Sequence, residues 1–346
     1  MKELLRLIPA PLLSWYKTNK RTLAWRSDPT PYHVWVSEIM LQQTRVEAVK
    51  EYYARFIQEL PTISALASCP EDMLLKLWEG LGYYSRVRNM QKTAKLLETN
   101  FNGGLPNDLE TLKSLPGIGE YTAGAILSIA FGKRVPAVDG NVLRVVSRLT
   151  ENATPITDAK YKKDVANALI EVYPKEGKDC ADFTQSLFEL GALVCKPQNP
   201  DCKNCPLKGI CRAEKSGTQL LYPVRPQKKE KRVEEVYVFI IETPEGISLR
   251  RRERGVLRGL NEFPSYVVKN GESAESVLYD FGVSAFTEIK RRNYVHIFTH
   301  IRWDITCVYL RAESSPFDSF SLEEIKESVS LPTAFKKCLQ ILEEER

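Results

Sequence analysis

The chain has 346 residues, which is enough for two domains with separate hydrophobic cores, and its net charge is +5. This mild positive charge permits binding to nucleic acid without requiring it. The three histidines are too few for chemistry that uses several imidazoles, so carboxylates are the better catalytic candidates.

The N-terminal stretch is partly apolar, but Arg6 and two prolines interrupt it, and no cleavage site of small residues follows. The longest apolar run, around residues 123–131, is too short to cross a bilayer. We therefore expect a cytoplasmic protein with reduced thiols and without membrane attachment.

Residues 1 to about 212 are predicted to be mostly helical. Between residues 33 and 57, apolar residues recur at three- and four-residue spacing without Gly or Pro, as is typical of a helix. Glu38 lies in this stretch between two apolar triplets. Burial there would raise the pKa of its carboxyl and favour a protonated acid near neutral pH. The alternative is a glutamate on the solvated face of an amphipathic helix.

The string LPGIGEYTAGAI at 115–126 lies between two helical patterns and predicts a tight turn. Gly117 and Gly119 allow unusual backbone angles and carry no side chain that would keep a ligand away. The amides of such a turn, together with the following helix N-terminus, suit a DNA phosphate. A G-x-G between helices is weak evidence alone, because any tight turn between helices can use it.

Asp139 precedes the amphipathic pattern of residues 140–149. The simplest interpretation is an N-cap that accepts backbone hydrogen bonds. A capping carboxylate is also rigidly aimed, so capping and a catalytic role are compatible.

Four cysteines follow at the irregular spacing C-x6-C-x2-C-x5-C, namely Cys195, Cys202, Cys205 and Cys211. Zinc sites usually draw two separated pairs of ligands from the chain, whereas a single run of four thiolates suits the corners of a [4Fe–4S] cluster. The spacing therefore favours one [4Fe–4S] cluster, with zinc as the alternative.

Residues 214–232 contain two prolines and a basic run, and they are predicted to be an interdomain linker. Beyond it, VYVFII, PEG and ISLRRR predict a hairpin, and IRWDITCVYL at 301–310 alternates like a half-buried strand. We therefore expect a second domain of α+β type.

Six motifs occur in the order found in the MutY family of adenine DNA glycosylases: WVSEIMLQQT (35–44), EGLGYYSR (79–86), LPGIGEYTAGA (115–125), VDGNVLRV (138–145), ELGALVC (189–195) and the four cysteines. The resemblance is dense over about residues 15–212. Beyond the linker it is looser, and that part is similar to the Nudix-related module of the family.

The resemblance implies a multidomain fold. An all-α helix–hairpin–helix glycosylase domain would span 1–213, with a six-helix lobe at about 25–135. The N-terminal helix and residues 136–213 would form the iron–sulfur lobe. The α+β Nudix-like domain would span 233–346.

The resemblance also implies roles for five residues: Glu38, Asp139, Tyr121, Asn141 and Arg21. Glu38 would protonate adenine, and Asp139 would stabilise the oxocarbenium-like sugar, as paired carboxyl groups do in glycosidases. Asn141 and Arg21 would support these groups. Tyr121 stands where lyase-type relatives carry a lysine that forms a Schiff base, so we expect a monofunctional glycosylase.

Because a base inside a duplex cannot reach these groups, the adenine must be flipped out of the helix. The resemblance places Leu23 and Trp25 in the substrate pocket. It implies eight DNA-binding residues: Gln43, Thr44, Leu81, Gly82, Tyr83, Tyr84, Gly117 and Gly119.

The opposite base would be read by Phe298, Thr299 and His300, where the family typically has Phe-Ser-His. Threonine keeps the hydroxyl and adds a methyl group. A metal site at His296 and His300 is the alternative. The stretch 271–283 lacks the glutamate pattern that Nudix hydrolases need for Mg²⁺, so we expect a recognition domain without hydrolase activity.

The predicted function is excision of adenine paired with 8-oxoguanine or guanine in double-stranded DNA, by a protein acting as a monomer. The alternatives are an endonuclease III-like glycosylase and lyase, a non-catalytic iron–sulfur protein that binds DNA, and a Nudix pyrophosphatase. The first is disfavoured by Tyr121, and the second by the pair of Glu38 and Asp139.

Overall fold

The computed structural model describes residues 1–226 and 230–345, so residues 227–229 of the predicted linker lie outside the described part. The chain forms two compact units. One consists of Met1–Ser68 and Arg88–Gln227, the other of Cys69–Val87 and Lys228–Arg346. The segment 69–87 thus packs with the C-terminal part of the chain, although it lies within the predicted domain 1–213. The domain boundaries themselves stay a prediction.

The N-terminal two thirds of the chain are helical, as predicted. The helices are α1 (Lys2–Arg6), α2 (Pro9–Asn19), α3 (Ala24–Ser27), α4 (Pro31–Leu41), α5 (Val46–Glu59), α6 (Ile63–Ser68), α7 (Glu71–Leu77), α8 (Ser85–Phe101), α9 (Leu109–Ser114), α10 (Glu120–Ala125), α11 (Gly140–Thr150), α12 (Ala159–Ile170), α13 (Lys178–Glu189) and α14 (Arg212–Lys215). Helices α10 and α13 each continue into a π-helical turn, Ile126–Ala130 and Leu190–Val194. Among the described residues, no helix has both the length and the apolar character that a membrane span requires.

Local sequence sets many of the helix ends. Thr30 caps α4 by accepting from the His33 amide, and Pro31 occupies its first turn. Asp158 caps α12 in the same way. The helical pattern over residues 33–57 is interrupted in the structure, because Gln43 has a left-handed backbone with φ of 59° and separates α4 from α5. The break itself carries Gln43 and Thr44, two of the predicted DNA contacts.

In the first unit, one hydrophobic core joins the chain start to its later helices. Leu5, Ile8 and Leu12 are fully buried against side chains of α11, α12 and α13. This core lies beside the cysteine loop, since Cys195, Cys205 and Cys211 pack against it.

The second unit contains a mixed sheet of seven strands. They are β1 (Arg232–Thr243), β2 (Gly246–Arg251), β3 (Asn261–Glu262), β4 (Ser265–Val267), β5 (Phe286–Ile297), β6 (Ile301–Ala312) and β7 (Asp318–Phe320). The central order is β3-β2-β1-β6-β5, with β1 and β6 parallel and β5 antiparallel to β6. The predicted hairpin is confirmed as the antiparallel pair β1 and β2, and the predicted alternation is confirmed in β6.

Helices cover both faces of this sheet. On one face α15 (Ala274–Asp280) contributes Val277 and Leu278 to a core with Phe239. On the other face α16 (Leu322–Glu327) and α17 (Lys336–Glu344) pack over Trp303. The short loop of residues 298–300 connects the neighbouring antiparallel strands β5 and β6.

Candidate active site

A cavity of about 160 Å³ lies within the first unit. Its walls come from α3, α4, α11, α13 and the start of α10. Eight of the predicted site residues line it: Arg21, Leu23, Trp25, Glu38, Thr44, Tyr121, Asp139 and Asn141. The structure therefore brings together residues that are up to 120 positions apart in the chain, the span from Arg21 to Asn141.

Glu38 is 5% exposed, as predicted from its apolar neighbours. The pKa of its carboxyl is raised from 4.5 to about 7, mainly by burial. A hydrogen bond donated by the Tyr121 hydroxyl to Oε2 opposes this rise, and the nearby Asp139 adds to it. A carboxyl with its pKa raised in this way can keep its proton near neutral pH, which is what a general acid requires.

Asp139 caps α11, as predicted. Its Oδ1 accepts from the amides of Asn141 (2.9 Å) and Val142 (2.8 Å), and its Oδ2 accepts from the Asn141 side chain (2.7 Å). Burial raises the pKa of Asp139, and these three donors oppose the rise because they favour the ionised form. Among the residues that the structure describes, Glu38 receives one such bond, from Tyr121, so the surroundings favour a proton on Glu38 and a negative charge on Asp139.

Asn141 is itself held by a buried arginine. Arg144 Nη2 donates to Asn141 Oδ1 and to the Gly191 carbonyl, both at 2.8 Å, and Arg144 Nε donates to the Cys195 carbonyl at 2.8 Å. A continuous chain of hydrogen bonds therefore runs from the Asp139 carboxylate to the backbone of the first cysteine of the predicted metal site.

Glu189 is a site residue that sequence reasoning missed. It is fully buried, and it forms ion pairs with Arg21 (2.5 Å) and Arg26 (2.8 Å) on the wall of the cavity. Burial alone would raise the pKa of Glu189, but the two guanidinium groups outweigh it and lower the pKa. The signal was a lone carboxylate in the apolar string FELGALV of residues 188–194.

The predicted turn between helices is present between α9 and α10. Gly117 has a φ of 78°, and a Cβ there would lie 2.8 Å from the Cβ of Asn89, so glycine is required. Gly119 caps α10 and faces open space. A role for both in binding DNA stays a prediction.

Of the other predicted DNA-reading residues, Gln43 and Thr44 lie between α4 and α5 in the first unit, and the rest belong to the second unit. Leu81, Gly82, Tyr83 and Tyr84 form the turn between α7 and α8, and residues 298–300 form the β5–β6 loop. Tyr83 is 45% exposed, whereas Leu81 and Tyr84 are buried.

The four predicted metal-binding cysteines line one small, mostly apolar cavity of about 30 Å³. Arg148, which is 2% exposed, donates to Cys195 Sγ at 3.3 Å and to the carbonyls of Lys196 and Pro197. Within residues 1–226 and 230–345, no three His, Cys, Asp or Glu side chains stand close enough together to hold a single metal ion.

Two family profiles cover most of the chain. The first, described as HhH-GPD superfamily base excision DNA repair protein, matches residues 36–174, and the second, a NUDIX domain, matches residues 236–340. A solved non-covalent complex of endonuclease III with DNA is similar to 63% of this chain and 99% of its own, with 27% identity and a TM-score of 0.54. The profile matches and the similar fold thus identify a DNA glycosylase of the helix–hairpin–helix superfamily with an added Nudix-like domain.

Two curated relatives, both described as adenine DNA glycosylases, indicate which family of this superfamily the chain is similar to. The protein of Buchnera aphidicola subsp. Baizongia pistaciae is 35% identical, with 84% of this chain and 80% of the relative covered. The protein of Arabidopsis thaliana is 36% identical over 84% of this chain, which spans only 55% of that longer relative. The chain belongs to the adenine DNA glycosylase family, whose members are hydrolytic DNA N-glycosylases of base excision repair.

Proposed function

We propose that this chain excises adenine paired with 8-oxoguanine, and also with guanine, from double-stranded DNA. The observation that carries the proposal is the pair of carboxyl groups in one cavity, Glu38 with its pKa raised to about 7 and Asp139 held by three hydrogen-bond donors. Paired carboxyl groups with different protonation states suit cleavage of a glycosidic bond.

In this proposal Glu38 donates its proton to N7 of the flipped adenine, which makes the base a better leaving group. Asp139 stabilises the positive charge that develops on the sugar as the bond breaks. Leu23 and Trp25 offer an apolar wall to the flat base, and both are nearly fully buried. The ion pairs of Glu189 with Arg21 and Arg26 fix polar side chains that line the same cavity.

We further propose that the four cysteines hold one [4Fe–4S] cluster. Burial raises the pKa of Cys205 and Cys211, so thiolates at these positions need a cationic partner. All four cysteines line one cavity, and a single irregular run of four thiolates suits the corners of such a cluster. A cluster here would brace the loop and, through Arg144, the position of Asn141. Iron and sulfide analysis of the purified protein tests this assignment.

Base release from duplexes tests the function directly. Adenine opposite 8-oxoguanine, guanine or thymine is incubated with the protein, and each reaction is divided before treatment with hot alkali. We expect free adenine from the first two duplexes and strand breaks only after alkali, because Tyr121 cannot form an imine. Strand breaks without alkali would favour the endonuclease III-like alternative, and the absence of adenine release would refute the proposal.

Tyr121→Phe should shift the pH dependence of base release. The hydrogen bond from Tyr121 lowers the pKa of Glu38, so its removal should raise that pKa above about 7. Because the acid then keeps its proton to higher pH, the decrease in rate on the alkaline side of the profile should occur at higher pH.

Tyr32→Phe is a matched control for this prediction. Tyr32 lies on the same helix α4, and its buried hydroxyl donates to the Leu60 carbonyl at 2.7 Å, away from Glu38. It should leave the alkaline limb in place. An unmoved limb in Tyr121→Phe would show that the phenol does not act on Glu38.

A further inference from the structure

A groove of about 870 Å³ lies beside the catalytic cavity in the first unit, and it is larger than that cavity. Three stretches of the chain supply its lining, within residues 16–29, 129–132 and 177–185. They belong to the end of α2 with α3, to the π-helical turn after α10, and to the first half of α13. The groove opens to solvent, because three of its lining residues are exposed lysines: Lys17, Lys20 and Lys178.

The catalytic cavity and the groove share a wall, which we call the partition. Its five residues line both spaces: Arg21, Leu23, Arg26, Ile129 and Gln185. Because the same side chains border the cavity and the groove, the partition is only one side chain thick.

Two arginines of the partition are held by one buried carboxylate. Arg21 and Arg26 pair with Glu189 Oε1 at 2.5 and 2.8 Å, and Arg26 Nη1 donates to the Arg21 carbonyl at 3.3 Å. The Arg21 side chain is 27% exposed, whereas that of Glu189 is fully buried. Arg21 thus reaches from the buried carboxylate toward solvent. A partly exposed side chain can change rotamer without backbone movement, so the partition can open at Arg21.

The two sides of the catalytic cavity carry different residues. Thr44, a predicted DNA contact, lines the cavity together with Glu38 and Asp139. Among the described residues that line the groove, none is one of the eight predicted DNA contacts. A duplex that inserts its adenine from the Thr44 side would cover that side of the cavity and leave the groove open.

We propose that the groove is the exit path of the excised adenine, which leaves past Arg21 while the abasic DNA is still bound. This inference rests on the proposed function. Adenine that has gained a proton at N7 and kept the bonding electron pair at N9 is a neutral base. The guanidinium groups of the partition can stack on its flat ring during passage. The lysines of the groove attract a neutral base only weakly, so the base is not retained there.

An exit path of this kind separates two rates. If the base could leave only through the side that DNA covers, free adenine would appear in solution no faster than the abasic DNA dissociates. With the groove as exit, free adenine appears as fast as the glycosidic bond is cleaved.

The experiment uses full-length protein in excess over a duplex that carries adenine opposite 8-oxoguanine. Samples quenched with denaturant give all cleaved base. A coupled enzyme that consumes adenine reports, without quenching, only the base that has reached solution. Fluorescence anisotropy of a labelled abasic duplex, chased with unlabelled DNA, gives the dissociation rate. We expect the unquenched signal to follow the quenched one and to precede dissociation.

Ala181→Trp should obstruct the exit. Ala181 lines the groove on α13 and is partly exposed, so the indole would fill space within the groove. Free adenine should then appear about tenfold more slowly or less rapidly still, because the base must displace packed side chains, while the quenched rate stays unchanged. Lys178→Trp places the same ring at an exposed position of the groove and tests the exit in a chain that should fold normally.

Asp179→Trp is the matched control. Asp179 is exposed on the same helix and is not a lining residue of the groove, so the unquenched rate should equal that of the parent. Free adenine that appears only as the DNA dissociates would overturn the inference, as would parent-like release from both Ala181→Trp and Lys178→Trp. In either case adenine in the quenched samples would leave the glycosylase assignment intact. Quenched samples without adenine would refute the proposed function itself.

Discussion

Glu38→Gln is expected to slow base release by about 10²- to 10⁴-fold, the range that a positioned general acid usually contributes. Glutamine matches the shape of glutamate and can still accept the Tyr121 hydrogen bond, so the pocket should stay intact. Single-turnover adenine release measures the loss, and a gel-shift assay should show nearly unchanged DNA binding. Retained turnover would remove Glu38 from the role of acid.

The pH dependence of the parent protein should point to the same group. Because the acid must be protonated, base release should fall as the pH rises through about 7, the value to which burial raises the pKa of Glu38. The residual activity of Glu38→Gln should not show this decrease as the pH rises through about 7.

Stability offers an independent check on Glu38. Its pKa is higher in the folded chain than its ordinary value of 4.5, so the folded state binds the proton more tightly and loses stability as the pH rises from about 4.5 to 7. The difference corresponds to on the order of 3 kcal/mol. Thermal unfolding should therefore find Glu38→Gln more stable than the parent at pH 8 and similar to it at pH 4.5.

Asp139→Asn should lower base release by about 10²- to 10³-fold, because it removes the negative charge that stabilises the sugar cation. Asparagine is as good an N-cap as aspartate, so its oxygen can still accept from the Asn141 and Val142 amides. The melting temperature should thus stay near that of the parent while activity is lost.

Asp158→Asn provides the control for capping alone. Asp158 caps α12 through a 2.7 Å bond from the Tyr161 amide and does not line the catalytic cavity. It should have little effect on activity or stability. If Asp139→Asn lost activity only through unfolding, Asp139 would be a cap and nothing more.

The parts of the site that the residue pattern alone predicted were those with a local signal, whereas Arg21, Leu23, Trp25, Tyr121 and Asn141 were predicted from the family resemblance. Glu38 is surrounded by apolar neighbours within its own helix, and Asp139 directly precedes an amphipathic pattern, so burial and capping follow from short-range rules. The hairpin of β1 and β2 and the alternation in β6 are local for the same reason. Periodicity, however, did not locate the break at Gln43, whose left-handed backbone interrupts an otherwise continuous helical pattern.

Contacts between distant parts of the chain had no such signal. Glu189 is paired with Arg21, which is 168 residues away, and nothing in the pattern around either residue identifies the other. The attachment of segment 69–87 to residues 326–336 is equally remote in sequence. Such pairings arise from packing of whole elements, which composition and periodicity do not encode.

That attachment has a consequence for anyone who cuts or recombines this protein. A truncation at the linker removes not only the loop at residues 298–300 but also the partners of Lys76, Leu75 and Tyr83. A change in the activity of the truncated enzyme would therefore reflect both the loss of this loop and the loss of these contacts. Chimeras between relatives should exchange residues 69–87 together with the C-terminal part. These two segments form one compact unit, although they are separate in the sequence.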